Sequence, residues 1–539
     1  MDSLIESSDT ETMLIFFMAP LLFLFLLSRF LCGKPHPPGP KGLPLIGNMM
    51  MKKDQLTHRG LAKLAKQYGG IFRLKMGFLN IVAVSSPDIA RQILQVHDNI
   101  FSNRPTTIAI RYLTYNQADM AFAPYGPFWR QMRKVCVMRL FSRKRTESWE
   151  AVRLEINDMI KTVASKTGSA VNLSELVFRL TRNITFRAAF GSTRRERQDE
   201  FIRILQEFSE LFGAFNIADF IPWLTWVDPQ GLSKRFVKAR ASLDLFIDTI
   251  IDDHVEKKTN ENGCIDNERD MVDELLSYYS EFKYSNESEN SQKSITLTRN
   301  NIKAIIMDIM FGGTETVASG IEWAMSELIK SPDDLKKVQQ ELNDVVGLHR
   351  KVEETDFDEL TYYKCCLKEV LRLHPPIPTI HHQTFEDAEV GGYYIPAKSS
   401  VFINTWAIGR DKDSWEDADI FKPSRFLKDG MPDYKGSNFE FLPFGSGRRS
   451  CPGMQLGFYE LELAVAHLLH CFTWDLPNGM KLGELDMDDK FGLAASRASP
   501  LIAVPTQRLH CSLYRKTASP LIAVPTQRLH CSLYPKILI

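Results

Sequence analysis

One stretch concentrates the reactive chemistry of this chain: Phe444-Gly445-Ser446-Gly447-Arg448-Arg449-Ser450-Cys451-Pro452-Gly453. A single cysteine sits in a glycine-rich loop, two residues after an arginine and just ahead of a helical run beginning near Met454. A thiolate at such a place is favoured by the helix dipole and by free amide N–H groups. The glycines permit backbone at positive φ and close approach of a flat ligand. Phe444 can shield the sulfur from water, and Arg449 can meet an anionic group on the ligand. A lone cysteine in a turn is more often structural. The joint spacing of Phe444, Gly447, Arg449, Cys451 and Gly453 points instead to a ligating sulfur.

A second constellation lies within Asn301–Lys330, which reads as one helix of about thirty residues, long enough to cross the body at ~1.5 Å per residue. Its middle is Phe311-Gly312-Gly313-Thr314-Glu315-Thr316-Val317. Each mid-helix glycine costs about 1 kcal/mol relative to Ala, and such a conflict in an otherwise good helix points to function. The glycines would let a flat ligand approach and the helix open locally, with Thr316 and Glu315 as an alcohol–acid pair at a cavity. Elsewhere Glu369 and Arg372, three apart on a helix, can pair, and Pro423-Ser424-Arg425-Phe426 follows. Trp129 and Arg133 are four apart on another helical segment.

Together these motifs resemble the cytochrome P450 family. The resemblance implies a mainly α fold with minor β-sheets, in which a long central helix lies over haem b. Cys451 would be the axial ligand of the haem iron, within a loop that includes Phe444, Gly445, Arg449 and Gly453. Trp129 and Arg133 would contact the haem propionates, and Gly312 and Gly313 would let the macrocycle approach. His382 stands where many relatives place a propionate-binding arginine. Glu369, Arg372 and Arg425 would form a buried triad behind the haem loop. Thr316 would hold a hydrogen-bonded water and Glu315 would feed protons during dioxygen activation. An axial thiolate pushes electron density toward the iron and favours O–O cleavage. Two electrons from NADPH would arrive through a separate NADPH-cytochrome P450 reductase, since no GxGxxG fingerprint occurs in the chain.

Longer stretches, such as Phe101–Met138 and Gln198–Trp223, resemble the plant subgroup that hydroxylates ferulate or coniferaldehyde on the ring. That implies a small phenolic substrate, a guaiacyl phenylpropanoid hydroxylated at the 5-position. Its pocket would be lined by Thr107, Ile108, Ile110, Tyr112, Phe212, Phe215, Asp308, Phe311, Ile377, Thr379, Ile380 and Leu493. Such Phe- and Ile-rich walls suit a flat aromatic substrate. Two departures stand out: His381-His382-Gln383 replaces the subgroup's Leu-His-Glu, and Pro124 replaces a histidine. The alternatives within this family are a flavonoid ring hydroxylase and an isomerase or dehydratase that activates no dioxygen; a non-catalytic haem-binding membrane protein is a third.

The remaining sequence must position these groups. The chain has 539 residues, 44% hydrophobic and 24% charged, with 66 basic and 66 acidic side chains. This is ordinary globular usage, and the zero net charge argues against a nucleic-acid binder. Nine cysteines without a CxxC pair support neither a zinc ribbon nor a disulfide framework and fit a reducing compartment. Residues 13–31 read as a transmembrane anchor, with acidic residues 1–12 luminal and Arg29, Lys34 and Lys41 on the cytosolic side. An endoplasmic reticulum membrane protein with a cytosolic catalytic body is the expectation. The Asn172, Asn183 and Asn286 sequons would then be chance matches. Residues 32–48 read as a stiff proline-rich hinge and 49–514 as one catalytic domain. Strands are expected at Ile71–Met76, Ile81–Ser85, Gly391–Ile395 and Ser400–Asn404. Amphipathic helices are expected over Glu200–Ser209 and Leu243–His254, and surface loops over Lys257–Arg269 and Glu281–Ser294. Residues 515–539 carry a letter-for-letter copy of Ala498–Tyr514. The first copy is expected to fill a strand at a sheet edge and the second to lie on the surface.

Overall fold

The computed structural model describes residues 34–142, 150–190, 197–260, 270–279, 296–490, 492 and 494–509. The anchor, the second C-terminal copy, Leu493 and the loop Glu281–Ser294 lie outside them. Strands β1 (Ile71–Met76) and β2 (Leu79–Val84) follow an α-helix over His58–Tyr68. Helices α1 (Ile108–Leu113), α2 (Pro127–Val135), α3 (Glu150–Ala164), β3 (Val171–Asn172) and α4 (Leu173–Phe190) follow. Then come α5 (Gln198–Phe212), α6 (Leu232–Asn260), α7 (Arg299–Lys330) and α8 (Thr361–Leu373). The chain continues through β4 (Ile380–Gln383), β5 (Ser400–Ile403), α9 (Met454–Cys471), β6 (Phe472–Asp475) and β7 (Ile502–Gln507).

α7 organises the body. A capping box starts it: Thr298 Oγ1 accepts from Asn301 N while Asn301 Oδ1 accepts from Thr298 N. Its 32 residues span about 48 Å. The helix threads two apolar cores. Ile302–Phe311 pack with α2, α5 and α6, whereas Val317–Ile329 pack with α3, α4, α8 and α9. The segment between, Gly312–Thr316, belongs to neither core, so the motif falls at their seam. Buried on so many sides, α7 shows no single apolar stripe.

A four-stranded sheet in the order β1-β2-β5-β4 stands beside the helices. β1 alternates as expected of a half-buried strand, with Phe72, Leu74 and Met76 buried and Lys75 exposed. β5 runs parallel to β2, pairing Ser400 with Ile81, and antiparallel to β4, pairing Ile403 with Ile380. That pairing aims the chain after α8 toward the sulfur loop.

Four expectations change. The proline-rich hinge is docked, not free: Arg73 N donates to Pro38 O at 2.7 Å and Asn48 N to Lys75 O at 2.6 Å, so residues 38–48 line β1. The polar run from Lys257 stays helical through Asn260, because α6 continues one turn past its apolar face. The strand expected from Gly391 begins at Tyr393, since Gly391 and Gly392, with φ of 59° and 79°, make the turn before it. The first C-terminal copy forms the middle strand of the sheet β3-β7-β6, not an edge, pairing Ile502 with Asn172 and Val504 with Asp475.

Candidate active site

The sulfur loop is wound by short backbone bonds. Gly445 N donates to Leu442 O at 3.1 Å, Ser450 N to Gly447 O at 3.1 Å, and Cys451 N to Phe444 O at 2.9 Å. Gly445 and Gly447 have φ of 70° and 68°, and a Cβ on Gly447 would stand 2.5 Å from Leu94 O. Only glycine fits there. Cys451 is reachable from solvent on one side, with protein packed around the others. Burial pushes its thiol up, while the Gly453 N–H and the Arg133 charge oppose that shift. Phe444 meets the Tyr434 ring edge-on at 5.9 Å. A Cβ on Gly453 would meet nothing within 4 Å.

Beside the loop lies a cluster of cations. Arg449 is buried, its Nε donating to Ser102 O at 2.7 Å and its Nη2 to Ala123 O. Its guanidinium sits 4.3 Å from the Trp129 ring centroid, and that of Arg133 5.5 Å from the same ring. Arg133 Nη2 donates to Ser450 Oγ at 3.1 Å. Arg104 donates to Ala121 O at 3.3 Å and to His381 O. Among the described residues none of these three arginines forms an ion pair. Burial, then repulsion from Arg104, pulls Arg449 down to about 9, and burial pulls Arg104 down to about 10. The cluster is therefore short of negative charge.

Across the site, α7 stays helical through its glycines and does not open. A Cβ on Gly312 would meet nothing within 4 Å, so this face borders open space. Thr316, one turn on and on the same face, donates from Oγ1 to Gly312 O at 2.6 Å. Gly313 serves packing instead: its Cβ would stand 2.9 Å from Thr185 Oγ1 on α4. Glu315 points toward α5, where Ser209 Oγ donates to its Oε2 at 3.1 Å, and burial raises its pKa. The alcohol–acid pair expected of Glu315 and Thr316 is thus split, because consecutive helical residues point about 100° apart.

A family model described as Cytochrome P450 matches residues 37–501. The chain belongs to the cytochrome P450 family. It is similar to cytochrome P450 84A1 of Arabidopsis thaliana, 63% identical over 95% of this chain and 99% of that one. It is also similar to cytochrome P450 84A4 of the same plant, 58% identical over 92% and 97%. A solved zebra fish cytochrome P450 with abiraterone shares the fold, with a TM-score of 0.68 at 25% identity, covering 84% of this chain and 99% of that one.

P450 enzymes are monooxygenases that carry haem and draw electrons from a redox partner. The residues of this P450 fit that group. Cys451 offers a sulfur on a glycine-walled face, Gly312 and Gly453 border space that a side chain would fill, and three cations, Arg449 buried and Arg133 and Arg104 half-buried, stand without a carboxylate partner among the described residues. Cys451 would ligate the iron, and a coordinated thiol is deprotonated outright. Arg449, Arg133 and Arg104 would meet the propionates. His382 does not replace a cation there: burial and Arg104 pull it down to about 3, and its Nδ1 bonds to Phe101 O at 2.8 Å. Through that bond it positions β4.

Behind the loop, Glu369 and Arg372 are fully buried and Arg425 nearly so. Arg372 makes two bonds to Glu369, at 2.7 and 2.8 Å, and Arg425 a third at 3.1 Å. Their guanidiniums lie 5.1 and 5.9 Å from the Trp415 ring, whose Nε1 donates to Glu440 O at 3.3 Å. The triad thus reaches the turn that leads into the sulfur loop through Trp415.

The expected pocket residues divide. Phe311 and Phe212 meet edge-on at 5.6 Å, Phe212 stacks on Phe122 at 5.8 Å, and Ile380 comes 3.3 Å from a Cβ built on Gly445. Thr107 caps α1, and Ile108 N donates to Asp219 Oδ1 at 2.7 Å. Ile110, Ile377 and Thr379 are half-buried, Ile377 giving its carbonyl to Thr405 and Thr379 meeting His381 at 3.3 Å. Tyr112 and Phe215 lie at the surface, 37% and 41% exposed, with their rings on Phe236 and Phe220. Asp308 is not a free anchor, because its Oδ2 accepts from Met120 N and Ala121 N. Sequence reasoning missed Arg104, Phe122 and Phe208. Arg104 carried one usable signal, a cation between Asn103 and Pro105 in a stretch expected near the site.

Proposed function

We propose that this P450 hydroxylates the ring of a guaiacyl phenylpropanoid at the 5-position, taking coniferaldehyde, coniferyl alcohol or ferulic acid. That step would serve syringyl lignin and sinapate ester formation. The observation that carries the reading is the aromatic wall above Gly312: Phe122, Phe212, Phe208 and Phe311 in successive contact at 5.6–6.1 Å. Offset and edge contacts of this kind accept a further flat ring and exclude water. Haem, when bound, supplies the oxygen chemistry and the one-electron steps. Thr316 keeps its lone pairs free for a water, because its own hydrogen is given to Gly312 O. Glu315, its pKa raised by burial, keeps a proton more readily than an exposed carboxyl, but on the face toward Ser209 and not beside Thr316.

NADPH would supply electrons through NADPH-cytochrome P450 reductase. The chain would sit in the endoplasmic reticulum membrane by residues 13–31, its body facing the cytosol. Exposed apolar side chains support this placement: Leu45, Phe78, Trp223 and Trp226 are 72%, 55%, 55% and 89% exposed, and the Phe78 and Trp223 rings meet at 5.1 Å. Asn183 lies within α4 and donates to Glu155 Oε2 at 3.0 Å, so it is no loop acceptor for glycan.

The experiment is a turnover screen of the full-length protein with the reductase and NADPH. Coniferaldehyde, coniferyl alcohol and ferulic acid are each compared with the flavonoid naringenin. Ring-hydroxylated guaiacyl product is expected. Product from naringenin alone would overturn the substrate assignment, and product formation without NADPH would favour an isomerase.

A further inference from the structure

Residues 118–123, the approach to α2, are tied to both halves of the site. Asn301 Nδ2 donates to Ala118 O at 2.9 Å, and Asp308 Oδ2 accepts from Met120 N at 2.8 Å and Ala121 N at 3.1 Å. On the opposite side Trp129 Nε1 donates to Met120 O at 3.0 Å, and Arg449 donates to Ala123 O. Phe122 in the same segment stacks on Phe212. The segment therefore links the aromatic wall to the cation cluster.

Asp119 sits fully buried inside this strap. Its Oδ2 accepts from Phe122 N at 3.0 Å. Its Oδ1 is buried without a hydrogen-bond donor among the described residues, and the carboxyl of Asp308 is within hydrogen-bond reach. An orphaned buried oxygen is costly, and two adjacent buried carboxylates cannot both be charged. One proton resolves both problems.

We propose that Asp119 is a neutral acid whose Oδ1–H donates to the Asp308 carboxylate, and that this shared proton latches residues 118–123 onto α7. Asp308 then accepts three donors, two amides and one acid. Burial and then the charge of Asp308 hold Asp119 well above the carboxylate range, and burial raises Asp308 to about 7. The charged and titratable groups facing the pair are Arg104 and Arg449 beside Asp119 and the Cys136 thiol beside Asp308. The two guanidiniums favour ionisation of Asp119, and its burial outweighs them. Asp119 and Asp308 are positioning residues: they set Phe122 for the substrate and Met120 and Ala123 for Arg449. Loss of the proton at alkaline pH leaves two buried carboxylates in repulsion, and the strap loosens.

The test uses full-length holoenzyme. Infrared difference spectra should show a buried carboxylic-acid C=O stretch that shifts in D2O and is absent from Asp119→Asn. The asparagine still donates from Nδ2 to Asp308 and accepts from Phe122 N. Haem transfer to apomyoglobin, followed from about pH 7 to 10, should accelerate with pH in the wild type and lose that dependence in Asp119→Asn. In Asp308→Asn the acid band should titrate at lower pH, because the like charge is gone; this variant decides the matter if Asp119→Asn fails to fold. Absence of the band from the wild type, an unshifted titration in Asp308→Asn, or equal pH dependence in wild type and Asp119→Asn would overturn the proposal.

Discussion

Replacing Glu369 with alanine removes the acceptor for four donors. These are two N–H groups of Arg372 at 2.7 and 2.8 Å, one of Arg425 at 3.1 Å, and Lys422 N at 2.8 Å. The two guanidiniums keep bonds to carbonyls, Arg372 to Gly409 and Ala418 and Arg425 to Glu416, but lose their counter-charge where no water reaches. Breaking a buried pair in this way costs about 3–5 kcal/mol. Unfolding entropy of about 2.1 cal/mol/K per residue, over several hundred residues, gives roughly 1 kcal/mol per kelvin. The thermal midpoint should therefore fall by about 3–5 °C. An exposed pair, worth about 0–1 kcal/mol, would move it by about 1 °C at most. Because Trp415 links the triad to the turn before the Cys451 loop, haem content should fall as well. Both are read on purified protein, by calorimetry and by haem extraction, with Glu369→Gln as an intermediate. An unchanged midpoint with full haem content would refute the reasoning.

Gly312→Ala should raise stability by up to about 1 kcal/mol, since its methyl meets no protein atom, yet lower haem content or turnover by filling the space beside the sulfur loop. Gly313→Ala should destabilise, because its methyl meets Thr185 Oγ1 at 2.9 Å; unfolding curves of the two variants separate these effects. Thr316→Ala should uncouple the enzyme, consuming NADPH without matching product, and an unchanged ratio would count against its role in holding water. Truncation after Tyr514 should leave turnover intact and improve solubility, since the first copy already supplies the middle strand β7; loss of turnover would show that the second copy is needed.

Local motifs were legible because their chemistry is local. The loop around Cys451 needs glycines at positive φ, and those appear as letters; α7 announces itself by thirty residues of apolar character around a Gly-Gly break. Glu369 and Arg372 are one helical turn apart, so their pairing could be read. Side-chain direction was harder. Tyr112 and Phe215 look like pocket aromatics in sequence, yet their rings turn to Phe236 and Phe220 at the surface. Glu315 and Thr316 are adjacent letters on different helix faces. Arg104 enters the cation cluster because the chain near β4 folds back onto its loop, Arg104 and His381 being 277 positions apart, and no periodicity records that. The central place of β7 likewise depends on β3 and β6, which are distant in sequence.

The account turns on Cys451 as the sulfur that holds haem iron. The most direct measurement is the reduced CO-difference spectrum of the wild type beside Cys451→Ser, because an alcohol is a far weaker donor than a thiolate. The wild type should show the red-shifted Soret band of thiolate ligation, and Cys451→Ser should lose it. Retention of that band in Cys451→Ser would contradict the assignment.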